Sequence, residues 1–117
     1  MFRGSFRATS GGGGGGGGDD ISWQAISAAS QQPYPMSAAN NGVKVDVSAG
    51  AVSITLPAPA GVSGKIFTIK HSAGSIASNN ITITATGSQI DGSASLVMTQ
   101  NLSTTRVSSD GSDYIII

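Results

Sequence analysis

The sequence predicts an all-β fold, a small antiparallel β-sandwich or jelly-roll-like domain, preceded by an extended N-terminal arm. Apolar and polar residues alternate over short runs such as Val43–Val47 and Val52–Leu56, which is the two-residue period of a half-buried strand. Turns of small residues and proline interrupt these runs roughly every 8–12 residues, a spacing typical of small sandwiches and barrels. β-branched residues supply most of the apolar content and only 10% of the residues are charged, which favours short strands over helices.

The segment Val43–Gly61 gives the clearest strand signal. The three valines of its first run share one strand face, and the apolar residues of Val52–Leu56 repeat that pattern after a small-residue turn at Ser48–Gly50. The segment is therefore either a β-hairpin or a tight β-arch with one buried face. The second strand is expected to end at Pro57, because proline has no N–H to donate to a sheet.

Strands are also expected on both sides of this segment. Ile21–Ser27 is either a strand or a short helix capped by Asp20, and its β-forming residues favour the strand. Asn41-Gly42 suits a turn with positive φ, and Ser109–Ser112 suits a hairpin turn. The apolar stretch Tyr114–Ile117 is expected to pair within a sheet. The remaining strands are predicted at 64–70, 81–85, 89–92, 95–99 and 101–108.

Composition excludes several classes of function. Six Lys and Arg residues balance six aspartates, so the chain lacks the global basic field that favours nucleic-acid binding. It has no cysteine, and hence no disulfide and no thiolate metal site. No apolar run approaches the roughly 20 residues of a membrane helix. Neither nucleic acid nor a membrane is therefore expected as a partner, whereas a small all-β chain with so few charges is a candidate for a symmetric oligomer.

The first 20 residues differ in character from the rest, and the chain divides into an arm at 1–20 and a β-rich domain at 21–117. Phe2-Arg3 and Phe6-Arg7 are two aromatic-basic pairs that could fill a groove on a partner, with the rings buried and the guanidinium groups paired with acids. The eight glycines of Gly11–Gly18 form a flexible tether. A disordered terminus of incidental composition and an engineered linker are the alternatives, and the tether favours a natural anchoring arm.

No arrangement of residues points to catalysis. His71 is the single histidine, with no cysteine or glutamate to share a metal and no positioned third group for a nucleophile. Asp46, Asp91, Asp110 and Asp113 each lie in or beside a small-residue turn, where aspartate commonly accepts hydrogen bonds from local backbone. The glycine run lacks the lysine and the helix of a phosphate-binding loop. The chain is therefore expected not to be an enzyme and to bind no metal or cofactor.

Two kinds of surface remain as candidates. Trp23, the single tryptophan, is expected to be a core or interface plug rather than a ligand platform. The possible subunit interface consists of Trp23, Tyr114, Ile115, Ile116 and Ile117. A shallow sugar site needs little more than an exposed aromatic ring and amides. Its candidates are Tyr34, Tyr114, Asn79 and Asn80, although core or turn roles are favoured for all four.

Several segments, taken in order, resemble a β-rich module of tailed-bacteriophage virion appendages: tail fibres, tail spikes, head fibres and capsid decoration proteins. The resemblance covers roughly residues 21–117. After the strand that begins with Trp, the matching segments are VKVDVSAGAVSITLP at 43–57, GKIFTIK at 64–70, NITIT at 80–84, QIDGSA at 89–94 and VSSDGSDYII at 107–116.

The resemblance implies a homotrimeric structural protein on the exterior surface of a virion, with capsid or tail proteins as partners and no catalytic residues. Long fibres usually continue into a receptor-binding tip, and the lack of one here favours a short capsid decoration or head-fibre-like protein mounted by its arm through Phe2, Arg3, Phe6 and Arg7. The alternative is a receptor- or carbohydrate-binding module of a tail fibre, with a host surface glycan as partner.

Overall fold

The alternating runs of the sequence form strands because each run can bury one face against a second sheet. We describe a computed structural model for residues 21–117. In it the apolar residues of Val43–Val47 and Val52–Leu56 are each at most 1% exposed, while the side chains of Lys44 and Ser53 point outward and are exposed. The predicted arm at 1–20, with its anchoring residues Phe2, Arg3, Phe6 and Arg7, lies outside the described residues.

Nine strands and one short 3-10 helix make up the regular structure of the described residues. The strands are β1 (Trp23–Ser27), β2 (Tyr34–Pro35), β3 (Gly42–Asp46), β4 (Val52–Leu56), β5 (Ile66–Ala73), β6 (Ile81–Ala85), β7 (Ser95–Met98), β8 (Thr104–Ser109) and β9 (Tyr114–Ile116). The helix spans Pro59–Val62, between β4 and β5. Within residues 21–117, no helix has the length and apolar character to cross a membrane.

The first six strands alternate between two sheets and coil around a shared core. A five-stranded sheet has the order β1-β3-β5-β8-β9, and a four-stranded sheet has the order β2-β4-β6-β7. β1, β3 and β5 are parallel neighbours, as are β2, β4 and β6. This is the path of a short two-sheet parallel β-helix. The last three strands then complete the sheets with antiparallel pairings.

The prediction of an all-β fold with two packed layers is confirmed, but the predicted antiparallel pairing is wrong for the first six strands. β3 and β4 are not a hairpin, because they lie in different sheets and the turn between them is an arch. The two-residue period cannot separate these cases, since a hairpin and an arch both bury one face of each strand. The predicted hairpin turn at Ser109–Ser112 is confirmed, because it joins the antiparallel strands β8 and β9.

The arches that connect the two sheets stack directly on one another. Gly74 starts the arch between β5 and β6 with φ of +85°, and a Cβ at that position would stand only 2.5 Å from the backbone nitrogen of Ser48 in the arch above. The side-chain amide of Asn79 donates to the carbonyl of Val47 at 2.9 Å. The stacking fixes the register between successive coils, and it requires glycine at position 74.

The core between the sheets is aliphatic and closed by two aromatic rings. Phe67 of β5 and Tyr114 of β9 meet edge to face, with ring centroids 6.0 Å apart and an interplanar angle of 71°. Both side chains are buried, and the Tyr114 hydroxyl donates a hydrogen bond to the carbonyl of Pro57 at 2.7 Å. This bond ties the last strand to the end of β4.

Candidate ligand pocket and subunit contact surface

The outer face of the five-stranded sheet holds an open pocket of about 510 Å³, which we call the outer pocket. Its lining comes from Ile21, just before β1, and from four neighbouring strands, with Trp23 from β1, Lys44 from β3, Thr68 and Lys70 from β5, and Thr104 and Arg106 from β8. The side chains of Lys44, Lys70 and Arg106 point away from the core, because they alternate with buried residues along their strands.

Strand register brings three cations together in this pocket. Lys44 pairs directly with Lys70, and Lys70 pairs with Thr104. Arg106 lies two residues along β8 from Thr104, which places it diagonal to Lys70 and within reach of a long side chain. Like charges directly opposite one another destabilise a sheet. The arrangement therefore has an electrostatic cost that a bound anion would offset.

Within residues 21–117, no carboxylate pairs with any of these cations. The ammonium of Lys70 donates a hydrogen bond to the carbonyl of Leu102. Lys44 and Arg106 form no ion pair with any of the described residues. Asp46 lies on the same face of β3 as Lys44, but its Oδ1 accepts the N–H of Ser48 in the adjacent arch at 2.8 Å. Hydrogen bonds from the side chain and backbone of Ser48 lower the pKa of Asp46. The pocket is thus a locally positive surface on a chain without net charge.

Trp23 forms one wall of the outer pocket. Its side chain is 44% exposed, so of the two predicted roles, core or interface plug, the core role is wrong and the interface role stays a prediction. The indole lies against Gly42 of β3, where an added Cβ would stand 3.1 Å and 3.3 Å from its Cε3 and Cζ3 atoms. Gly42 is a strand residue without positive φ, contrary to the predicted turn at Asn41-Gly42. Glycine fits here because a Cβ would stand only 2.2 Å from Cγ2 of Ile21, in addition to its close approach to the tryptophan ring.

The other predicted interface residues lie at the opposite edge of the same sheet. Ile115, Ile116 and Ile117 are 44%, 40% and 59% exposed. Ile115 pairs with Ser108, and the N–H of Ile117 donates to the carbonyl of Arg106 at 2.9 Å, so both side chains lie on the outer face of the sheet. Tyr114 is 1% exposed and belongs to the core of its own chain.

The free side of β9 is closed to further strands. The segment Gln89–Asp91, where the sequence predicted a short strand, lies beside β9 as an isolated bridge. Its backbone exchanges two hydrogen bonds of 2.9 Å with Tyr114, and the carboxylate of Asp91 accepts the N–H of Ile116 at 3.1 Å. An edge with occupied hydrogen-bonding groups resists strand addition. What this edge offers to a partner is the apolar side chains of its isoleucines.

All four aspartates assigned to turns accept backbone hydrogen bonds, but only Asp46 and Asp110 accept them from local backbone as predicted. Asp46 and Asp110 each accept the N–H two residues later at 2.8 Å, and Asp110 also accepts that of Asp113 at 2.8 Å. The N–H groups of Asp113 and Ser112 lower the pKa of Asp110. Asp91 and Asp113 accept from Ile116 and Gln89, 25 and 24 residues away, so they join separate segments.

His71 and the predicted sugar-site residues are used structurally. His71 is 1% exposed, and its Nδ1 accepts the N–H of Leu102 at 2.8 Å, which supports the tight turn before β8. The amides of Asn79 and Asn80 donate to backbone carbonyls of the arches. Tyr34 is half-buried against the core.

No family model matches this chain, and no curated protein matches it. The outer pocket is the feature that the sequence did not reveal. Its cations lie on three strands that become neighbours only through the coiled topology, so their proximity has no signal in sequence spacing. The alternation does place Lys44 and Lys70 at outward positions of their strands, but it does not show that these strands are neighbours.

Proposed function

We propose that the chain is a structural protein of a tailed-phage virion, a capsid decoration or head-fibre-like protein on the exterior surface. The ordered segments that resemble the phage appendage module support this proposal, as does the all-β, two-sheet domain. One observation supports the proposal that copies of the chain assemble. The isoleucines at β9 are exposed, although the edge of this strand is closed to strand addition. Such a surface suits side-chain packing against a second copy of the chain.

In this proposal three copies associate through their β-domains and the arm at 1–20 attaches each copy to a capsid or tail protein. Phe2, Arg3, Phe6 and Arg7 make the contacts, and the glycine run lets each arm reach its own site. Linking three modest contacts raises their effective concentration, so the assembly dissociates far more slowly than one arm would.

Removal of residues 1–18 tests the anchoring role. The truncated protein should fold and assemble like the full chain but should be lost from purified particles, as measured by quantitative immunoblotting of virions. A second variant carries alanine at Phe2, Arg3, Phe6 and Arg7 but keeps the glycine run, and it should show the same loss. Normal incorporation of either variant contradicts the proposal.

A second candidate function is a receptor- or carbohydrate-binding module of a tail fibre. The outer pocket favours it, because an exposed tryptophan beside three cations that form no ion pair within residues 21–117 is a surface suited to a ligand. The isoleucine surface adjoins the outer pocket, because Ile117 lies opposite Arg106 on the same sheet face. The two functions depend on different side chains, so each is tested with its own variants.

A further inference from the structure

We propose that the outer pocket binds an acidic saccharide, with a carboxylate held by Lys44, Lys70 and Arg106 and a sugar ring packed on Trp23. This inference assigns a ligand class to the second candidate function. It does not depend on how the protein is mounted, so failure of the anchoring test would leave it standing.

The cations supply the first argument. Lys44 and Lys70 lie in direct register and Arg106 lies diagonal to Lys70, so neighbouring cations repel one another, and within residues 21–117 no acid neutralises them. The three cations belong to adjacent strands of one sheet, so the sheet fixes the positions from which their side chains extend. An arginine guanidinium can bind a carboxylate through two parallel hydrogen bonds, and ammonium groups add charge.

The tryptophan supplies the second argument. An apolar ring that is 44% exposed at the wall of a pocket offers a flat surface to the C–H face of a sugar. The indole lies close over Gly42, since its Cε3 and Cζ3 atoms would stand 3.1 Å and 3.3 Å from a Cβ there. Thr68 and Thr104 add hydroxyl groups to the lining, which suits a ligand rich in hydroxyls.

The size and charge of the pocket favour a saccharide over a nucleic acid. About 510 Å³ is the volume of a small-ligand site, suited to one or two sugar rings. Nucleic-acid binding depends on a track of cations along many phosphates and usually on several stacking rings. The pocket has one aromatic ring and three cations, and the formal net charge of the chain is zero.

The chain offers a direct readout, because Trp23 is its only tryptophan. Trigalacturonate is titrated into the full chain while tryptophan fluorescence is recorded, and calorimetry gives the stoichiometry. Galactotriose is the neutral comparison, and a short single-stranded oligonucleotide tests the other class of polyanion. Lys44→Gln and Arg106→Gln each remove one pocket cation, and Lys65→Gln is the matched control, since Lys65 is exposed and lies outside the lining.

We expect a saturable fluorescence change with trigalacturonate that weakens with added salt, and a much weaker response to galactotriose. Lys44→Gln and Arg106→Gln should each weaken binding by about tenfold, the size expected for loss of one charged hydrogen bond, while Lys65→Gln binds as the wild type does. The ligand-free Lys44→Gln protein should melt no lower than the wild type, because the substitution relieves a like-charge pair.

Three results would overturn the inference. One is the absence of a fluorescence change and of heat at ligand concentrations up to about 10 mM, beyond the weakest useful affinity. Another is equal binding of the acidic and neutral saccharides, or an equal effect of Lys65→Gln. The third is binding of the oligonucleotide alone, which would assign the pocket to nucleic acid.

Discussion

Tyr114 lies in the core of its own chain, although its place in an apolar run suggested a subunit contact. It pairs with Ser109 on the buried face of β9, while the neighbouring Ile115 points outward. The alternation of the strand decides this, and the sequence did not show which of the two residues faced the core. A tyrosine suits both places, because its ring is apolar and its hydroxyl needs a single partner, here the carbonyl of Pro57.

Because its hydroxyl is buried, Tyr114 should make the stability of the domain fall at alkaline pH. Burial raises the pKa of Tyr114 from 10.0 to about 12. Folding therefore favours the protonated form, and this contribution to stability is complete below pH 10 and is lost as pH rises toward 12. Thermal unfolding of the wild type should show an accelerating loss of Tm over this range. Tyr114→Phe should be less stable at neutral pH, by about 1 kcal/mol for the lost hydrogen bond, and should lose less Tm between the two pH values.

Tyr34→Phe is the matched control for that experiment, since it removes the only other tyrosine hydroxyl of the chain. It should retain the alkaline profile of the wild type. An unchanged profile in Tyr114→Phe would show that Tyr114 does not set the alkaline limit.

At the scale of elements, the sequence predicts where strands occur better than it predicts which strands pair. Alternation marks β3, β4 and β6 clearly, and all three are confirmed. The sequence does not reveal the parallel pairing of the coils, because successive coils contain different numbers of residues. In the five-stranded sheet Trp23 pairs with Gly42 and Gly42 with Thr68, so equivalent residues follow no fixed period. The arches consist largely of small polar residues, as ordinary turns do, so the sequence does not distinguish the two.

Gly74 tests whether stacked arches hold the coils together. Gly74→Ala combines a left-handed backbone conformation with a contact of 2.5 Å to the Ser48 backbone, and we expect a loss of about 3 kcal/mol or more in unfolding free energy. Gly87→Ala is the matched control, because Gly87 also has positive φ (+64°) but a Cβ there meets nothing within 4 Å. It should cost only about 1 kcal/mol. Urea unfolding measures both values, and equal losses would mean that arch packing adds nothing beyond backbone strain.

On the scale of the whole domain, two adjoining surfaces lie on one sheet and occupy different strands of it. Trp23 and the cations cover β1 to β8, and the exposed isoleucines belong to β9 and the residue after it. The sequence identified the isoleucines, because a run of large apolar residues is visible without a fold. It could not identify the outer pocket, since Lys44, Lys70 and Arg106 are brought together only by pairing across three strands.

Substitutions in the isoleucine surface test the proposed trimer and the proposed contact at β9. A cyclic trimer needs one surface on each copy to fit a different surface on the next, and replacing Ile115 and Ile117 together by serine removes apolar area on one side of all three contacts. Both side chains are exposed in the single chain, so the double variant should keep its fold and its Tyr114 environment. Multi-angle light scattering at about micromolar concentration should give a trimer for the wild type and a monomer for the variant. Val97→Ser is the matched control, because Val97 is equally exposed at 44% but lies on β7 in the other sheet, and it should remain trimeric. A monomeric wild type would contradict the trimer itself, whereas a trimeric double variant would move the contact away from β9.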